Sequence, residues 1–200
     1  MKNLKLKKKN FSLKRKRLLE ALKILNEDIS KIDEIIDSIV NHIINEGKIL
    51  LCGNGGSAAD AQHLAAEFLV RLRPKVNRKP IAAISLATDT STITACGNDY
   101  SFEKLFSRNL EALSNTNDVL IVISTSGNSK NILSVLQTAK KFKIFSIGLL
   151  GNNGGKAKKF CDKSIVVKSK NTATIQESHI FLGHFIFEEV EKKLLNYKLI

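Results

Sequence analysis

The sequence is poor in cysteine. Its 200 residues hold only Cys52, Cys96 and Cys161, widely spaced and with no C-x-x-C pair. That excludes a zinc ribbon, a thioredoxin-like motif and a disulfide framework, and it fits a reducing compartment such as the cytoplasm. No apolar run reaches the roughly 18 residues needed to span a bilayer. No apolar signal-peptide core follows the basic N-terminus. A membrane role is therefore not expected. What is present is a chain 43% apolar and 26% charged, long enough to bury a core without disulfide or metal staples.

Acidic residues are missing from one place in particular. Residues 1–17 carry nine Lys/Arg and no Asp or Glu. The other 183 residues carry 23 basic and 19 acidic side chains, so the net charge of +13 is mostly a terminal feature. Residues 1–14 are expected to form a solvated, disordered basic tail rather than a nucleic-acid or anionic-surface module. The tail has a single aromatic, Phe11, which is too little for a base-stacking platform.

Residues 15–200 are expected to form one domain. Its first part, about 15–46, is helical. Leu18, Leu22, Leu25, Ile29, Ile32, Ile36, Ile39 and Ile43 alternate spacings of four and three, an unbroken heptad seam. Leu19, Ile35, Val40 and Ile44 widen the stripe toward a bundle helix. Asn26 or Ser30 could divide it, and Gly47 stands where a C-terminal cap is expected. Such a helix can pack on its own domain, and its length favours pairing with another subunit as well.

From Lys48 the pattern changes. Short, near-continuous apolar runs at 48–52, 81–86, 119–124, 144–149 and 164–167 read as strands buried on both faces. Helices are expected between and after them, at about 57–72, 101–113, 129–142, 154–161 and 174–196. This is a doubly wound, three-layer α/β sandwich around a five-stranded parallel sheet, with an N-terminal helical extension. Ligands of such folds sit beyond the carboxyl ends of the strands.

Two of the loops at those ends have the composition of anion sites. Gly53-Asn54-Gly55-Gly56-Ser57-Ala58 opens a helix, and its glycines let backbone N–H groups approach a ligand. It formally satisfies G-x-G-x-x-G/A. The acidic partner expected about 20 residues on, at the end of the second strand, is poorly placed, however: the nearest there, Asp89, is 36 residues after Gly53. A dinucleotide site is thereby disfavoured. Ser124-Thr125-Ser126-Gly127-Asn128-Ser129 surrounds a second helix start with hydroxyls, which suits a phosphate monoester without requiring a metal.

A third group lies on helices. His63 and Glu67 are four residues apart and share a helical face. Gln176 and His184, on the last helix, are eight apart and only about 80° off a common line. A carboxylate and an imidazole beside a phosphate pocket suit proton shuttling. Two His, one Glu and a Gln equally suit zinc. The residues alone leave both readings open.

The stretch Cys52 to His63 resembles the opening signature of bacterial phosphoheptose isomerases, of the sugar isomerase (SIS) domain superfamily. The resemblance continues through Thr88-Asp89-Thr90-Ser91, Gly97-Asn98-Asp99-Tyr100, Ser124 to Ser129, and Ile175-Gln176-Glu177-Ser178-His179-Ile180. It covers about residues 15 to 196. It implies the SIS fold, a homotetramer with the N-terminal helices at the subunit contacts, and sedoheptulose 7-phosphate isomerase activity feeding surface polysaccharide, either lipopolysaccharide or capsule. By the same resemblance the catalytic glutamate falls on Glu67 and the catalytic histidine on His184. The zinc set of some members falls on His63, Glu67, Gln176 and His184. Phosphate contacts fall on Ser57, Ser124, Thr125, Ser126 and Ser129, and sugar contacts on Asn54 and Asp99; Arg71 also matches. Gly55, Gly56 and Gln176 complete the expected substrate-binding set. The family often has arginine where Thr174 stands. The superfamily also holds non-catalytic members, one binding the replication initiator and others sensing phosphosugars. Retention of both Glu67 and His184 argues for the enzyme.

Overall fold

The computed structural model describes residues 2–200. Helix α1 (Lys2–Leu25) and helix α2 (Ile29–Ile44) are separated by a 3-10 turn at Asn26–Asp28, so the chain does divide near Asn26. The basic segment expected to be disordered over residues 1–14 is instead helical from Lys2, while Met1 lies outside the described residues. The physical reason is local. No Gly or Pro occurs before Gly47, and Lys, Leu and Arg are good helix formers. The 3-10 turn rotates the seam, which leaves Ile29 53% exposed while Leu25, Ile32, Ile36 and Ile39 are buried.

Helix α2 ends in a Schellman arrangement. Gly47 N–H donates to the His42 carbonyl at 2.9 Å and Glu46 N–H to the Ile43 carbonyl at 3.0 Å. The left-handed residue is Glu46, with φ 62°, and not Gly47 as the sequence suggests. Gly47 is needed for a different reason, since a Cβ there would lie 2.0 Å from the Asn117 carbonyl oxygen.

Strands β1 (Ile49–Gly53), β2 (Ala83–Ser85), β3 (Val119–Ser124), β4 (Phe145–Gly151) and β5 (Lys163–Val167) form one parallel sheet in the order β2-β1-β3-β4-β5. Alternate strand residues feed two cores. Ile49, Leu51, Val119, Ile121, Ile123, Ile147 and Leu149 pack under α1, α2, α3 (Gly56–Leu69) and α7 (Thr172–Asn196). Leu50, Cys52, Leu120, Val122 and Leu150 pack under α4 (Thr90–Asp99), α5 (Leu105–Leu113) and α6 (Lys130–Phe142). Burial on both faces is why the strands read as continuous apolar runs.

Two elements differ from expectation. The helix expected at 154–161 is only a 3-10 turn at Ala157–Lys159. Gly154 and Gly155 take φ of 87° and 55°, which no α-helix accommodates. Helix α4 was not apparent in a stretch of Thr, Ser and Gly, all weak helix formers. It forms because the Asp89 carboxylate caps it, accepting from the N–H groups of Ser91 (3.1 Å) and Thr92 (3.0 Å). Those bonds, led by the Thr92 hydroxyl, lower the Asp89 pKa. Among the described residues, no helix is long and apolar enough to cross a membrane.

Candidate active site

The strand order reverses between β1 and β3, and ligands of open parallel sheets collect at that switch point. The loop after β1 is the glycine loop, and the loop after β3 is the hydroxyl loop. Gly55, at φ 57° and ψ −122°, turns the chain from β1 into α3. The amides of Asn54 and Asn131 exchange hydrogen bonds at 2.9 and 2.8 Å, which ties this loop to α6. Asn54, expected to touch sugar, therefore has its carboxamide engaged within the protein. Gln176 of α7 closes over the loop, with its Nε2 2.6 Å from where a Cβ on Gly56 would stand.

In the hydroxyl loop, Ser124 Oγ accepts from Gly127 N–H and Ser126 Oγ from Asn128 N–H, both at 3.1 Å. Ser57 and Ser124 are buried, Thr125 and Ser129 are half-buried, and Ser126 is exposed. Ser129 is the N-cap residue of α6, yet its hydroxyl makes no capping bond. It is free for a ligand at a helix N-terminus, where an anion is favoured.

His63, Glu67 and His184, the candidates for acid–base work, converge in space. His63 Nε2 and His184 Nε2 stand 2.8 Å apart, and Glu67 Oε1 is 3.4 Å from His63 Nε2. The rings meet edge to face, with centroids 5.0 Å apart. The other Glu67 oxygen, Oε2, is buried without a hydrogen-bond partner. The residues fit a metal on their own chemistry. Ligand atoms of His63, Glu67 and His184 all lie within 4.8 Å of one another, and imidazole and carboxylate are donors that zinc takes. The orphaned oxygen is a further unsatisfied acceptor at the same point.

Asp60 belongs here too and went unrecognised in the sequence. It lies one turn before His63 on the same helical face, so Asp60, His63 and Glu67 run i, i+3, i+7. Its Oδ2 is buried without a partner. Burial raises its pKa, and the neighbouring His63 and His184 pull the other way. Asp99 lies at the exposed end of α4 and accepts from the Asn98 side chain at 2.8 Å, outside the His–Glu–His cluster. Arg71 is exposed just beyond α3. A cavity of about 490 Å³ lies on the opposite face of α3, lined by Gln62, Ala66, Thr88, Asp89 and Asn109. Among its described lining residues there is no imidazole–carboxylate pair.

Comparison with known proteins gives a consistent picture. A family model described as SIS domain matches residues 12–151. A phosphoheptose isomerase of Clostridium acetobutylicum is 46% identical over 171 residues, covering 86% of each chain. Phosphoheptose isomerase 1 of Campylobacter jejuni is 48% identical over 176 residues, covering 88% of this chain and 92% of the relative. Among solved structures, a phosphoheptose isomerase from Neisseria gonorrhoeae superimposes with a TM-score of 0.84 at 38% identity, covering 94% of this chain and 98% of that one. One from Francisella tularensis gives 0.86 at 34% identity, covering 96% and 100%.

Proposed function

As a member of the SIS-domain family and, within it, of the phosphoheptose isomerases, this chain is an aldose–ketose isomerase, and we propose that it converts sedoheptulose 7-phosphate to D-glycero-D-manno-heptose 7-phosphate through an enediol. The observation that carries the reading is the meeting of Glu67, His63 and His184 beside two anion-suited loops at the sheet's switch point. Glu67 takes a proton from C1 of the ketose and returns it to C2. His184 moves the hydroxyl proton between O1 and O2, so that the carbonyl passes from C2 to C1 with atoms and charge balanced. The Glu67 carboxylate is placed for this work, with Oε2 buried and free of any hydrogen-bond partner and Oε1 3.4 Å from His63 Nε2.

The phosphate is held by Ser57, Ser124, Thr125, Ser126 and Ser129, where hydroxyls meet the N-termini of α3 and α6. Gly55 and Gly56 give backbone access and Gln176 closes over them from α7, while Asn54 and Asp99 would reach the sugar chain only by exchanging the Asn131 and Asn98 side chains they now bond. Binding of this remote group orients the reacting carbons. Zinc would be held by His63, Glu67 and His184 with Gln176, and when bound would polarise the substrate carbonyl. We further propose a homotetramer assembled through α1 and α2, whose Leu19, Ile29 and Ile44 are exposed at 58%, 53% and 44%. The cytoplasm is its proposed compartment. Its three cysteines are free thiols, and burial pushes Cys161 up to about 12. The product would feed lipopolysaccharide or capsule. The non-catalytic alternative is not favoured, since a binding module needs neither Glu67 nor His184.

The test is incubation of the purified protein with sedoheptulose 7-phosphate in D2O, with and without chelator, followed by proton NMR. Appearance of the aldose with exchange at the migrating position supports the reading. An unchanged ketose under both conditions would sink it.

A further inference from the structure

Glu67 and His184 lie on different helices, and a fully buried ionic contact away from the cluster ties those helices together. Arg78, in the segment between α3 and β2, has a side chain with no solvent exposure. Its Nη2 donates to the backbone carbonyl of Glu67 at 2.8 Å. Its Nη1 donates to the carbonyls of Phe68 and Lys79, each at 2.9 Å. Its Nε donates to Glu191 Oε2 at 2.8 Å. Glu191 is on α7, seven residues or about 10 Å after His184, and its side chain is likewise wholly buried. The other Glu191 oxygen receives Arg73 Nε at 2.7 Å.

The last carbonyls of a helix have no partners within it, and a cation there is favourable. Water or a lysine could satisfy that need. A guanidinium does more, because its planar donors fix several acceptors in one geometry. Here one acceptor is the backbone of Glu67 itself, and the counter-charge sits on the helix that carries His184. Between this clamp and the cluster, Phe68 of α3 stacks on Phe187 of α7 with centroids 3.8 Å apart.

We propose that Arg78 and Glu191 are positioning residues for the isomerisation, setting the spacing of Glu67 from His184. The proposal rests on the isomerase reading given above. It is separable from a stabilising role, because replacing a buried ion pair by apolar residues of similar volume is often neutral or stabilising. A purely structural pair would leave catalysis intact after such a swap.

The experiment uses the full chain carrying Arg78→Met together with Glu191→Leu, and Arg78→Lys alone. Wild type is assayed first, and no turnover there would refute the functional reading rather than the clamp. Given turnover, the double variant is expected to unfold below wild type, because the Glu67 and Lys79 carbonyls and Arg73 lose their partners, so it is assayed at a temperature where thermal unfolding shows it fully folded. Its kcat should fall about 100-fold, the scale of a misplacement near 1 Å, with KM within threefold. Nitrogen NMR signals of the His63 and His184 rings should shift, a readout independent of activity. Arg78→Lys, which keeps the charge and loses the fork, should recover part of the lost kcat. A folded double variant with wild-type kcat and unmoved ring signals would overturn the proposal. If the double variant does not fold, Arg78→Lys decides: reduced kcat at unchanged KM supports the clamp, and wild-type kcat overturns it.

Discussion

The roles proposed for His63, Glu67 and His184 differ, and single substitutions separate them. Glu67→Gln keeps shape and removes the proposed base, and His184→Gln removes the proposed shuttle. General acid–base groups contribute about 10²–10⁴-fold each, so either change should lower kcat by that order with KM largely kept. His63→Gln is the informative third. If zinc is required, that variant loses metal and activity together, read by metal analysis and turnover. If it stays active while Glu67→Gln is dead, the enediol forms without metal. A different histidine governs acid stability. His179 is fully buried, with neither ring nitrogen in a hydrogen bond of good geometry. Burial lowers its pKa to about 4, and the nearby Leu150 backbone only partly offsets this. Since the unfolded ring titrates near 6.5, the unfolded state takes up the proton first as pH falls. Stability should therefore drop by roughly 3 kcal/mol between about pH 6.5 and 4. Urea unfolding of wild type and His179→Phe at pH 7 and 4.5 checks this, and the variant should show a shallower loss. At this scale the sequence displayed the i, i+4 pair His63 and Glu67 and the two loops. It hid Asp60, Arg78 and Glu191, because a charged residue destined for burial looks like any surface charge until its partner, here 113 residues away, is folded against it.

Helices α3 and α7 must approach closely for these residues to meet, and Gly183, immediately before His184, permits it. A methyl at Gly183 would lie 2.6 and 2.8 Å from the two Cδ atoms of Leu64. Gly183→Ala should destabilise by about 1–3 kcal/mol, the usual cost of overpacking. It should also lower kcat by pushing α3 off α7, so denaturant unfolding and turnover should fall together. Restored kcat in Gly183→Ala combined with Leu64→Ala would tie both losses to this contact. At the scale of elements the pattern was most legible where burial is two-sided. Strand β3 falls at 119–124 as its apolar run predicts. It failed where a side-chain cap overrides propensity, as at α4, and where glycine conformation overrides an apparent helical stretch, as before Ala157. The heptad seam was also only half what it seemed, since α2 spends Ile32, Ile36 and Ile39 on its own core.

The whole molecule raises the question of what accompanies α1. Residues 3–17 are exposed along their length, and they include Leu4 at 59%, Leu6 at 58%, Phe11 at 69% and Leu13 at 47%. A lone helix of this length is marginal in water, and an apolar stripe left wet favours association. Light scattering at micromolar concentration should therefore show an assembly of at least two chains, and a stable monomer would defeat the proposed tetramer. The basic end of the same helix has no group suited to the chemistry. Deleting residues 1–10 removes five lysines and no member of the His–Glu–His cluster. Turnover of that truncated chain should stay within tenfold of wild type, or roughly 1.4 kcal/mol of barrier. The two measurements constrain each other. If truncation both dissolves the assembly and abolishes turnover, subunit contact through α1 supports the site. If it dissolves the assembly while turnover persists, each subunit carries a complete site, and the basic helix serves association alone.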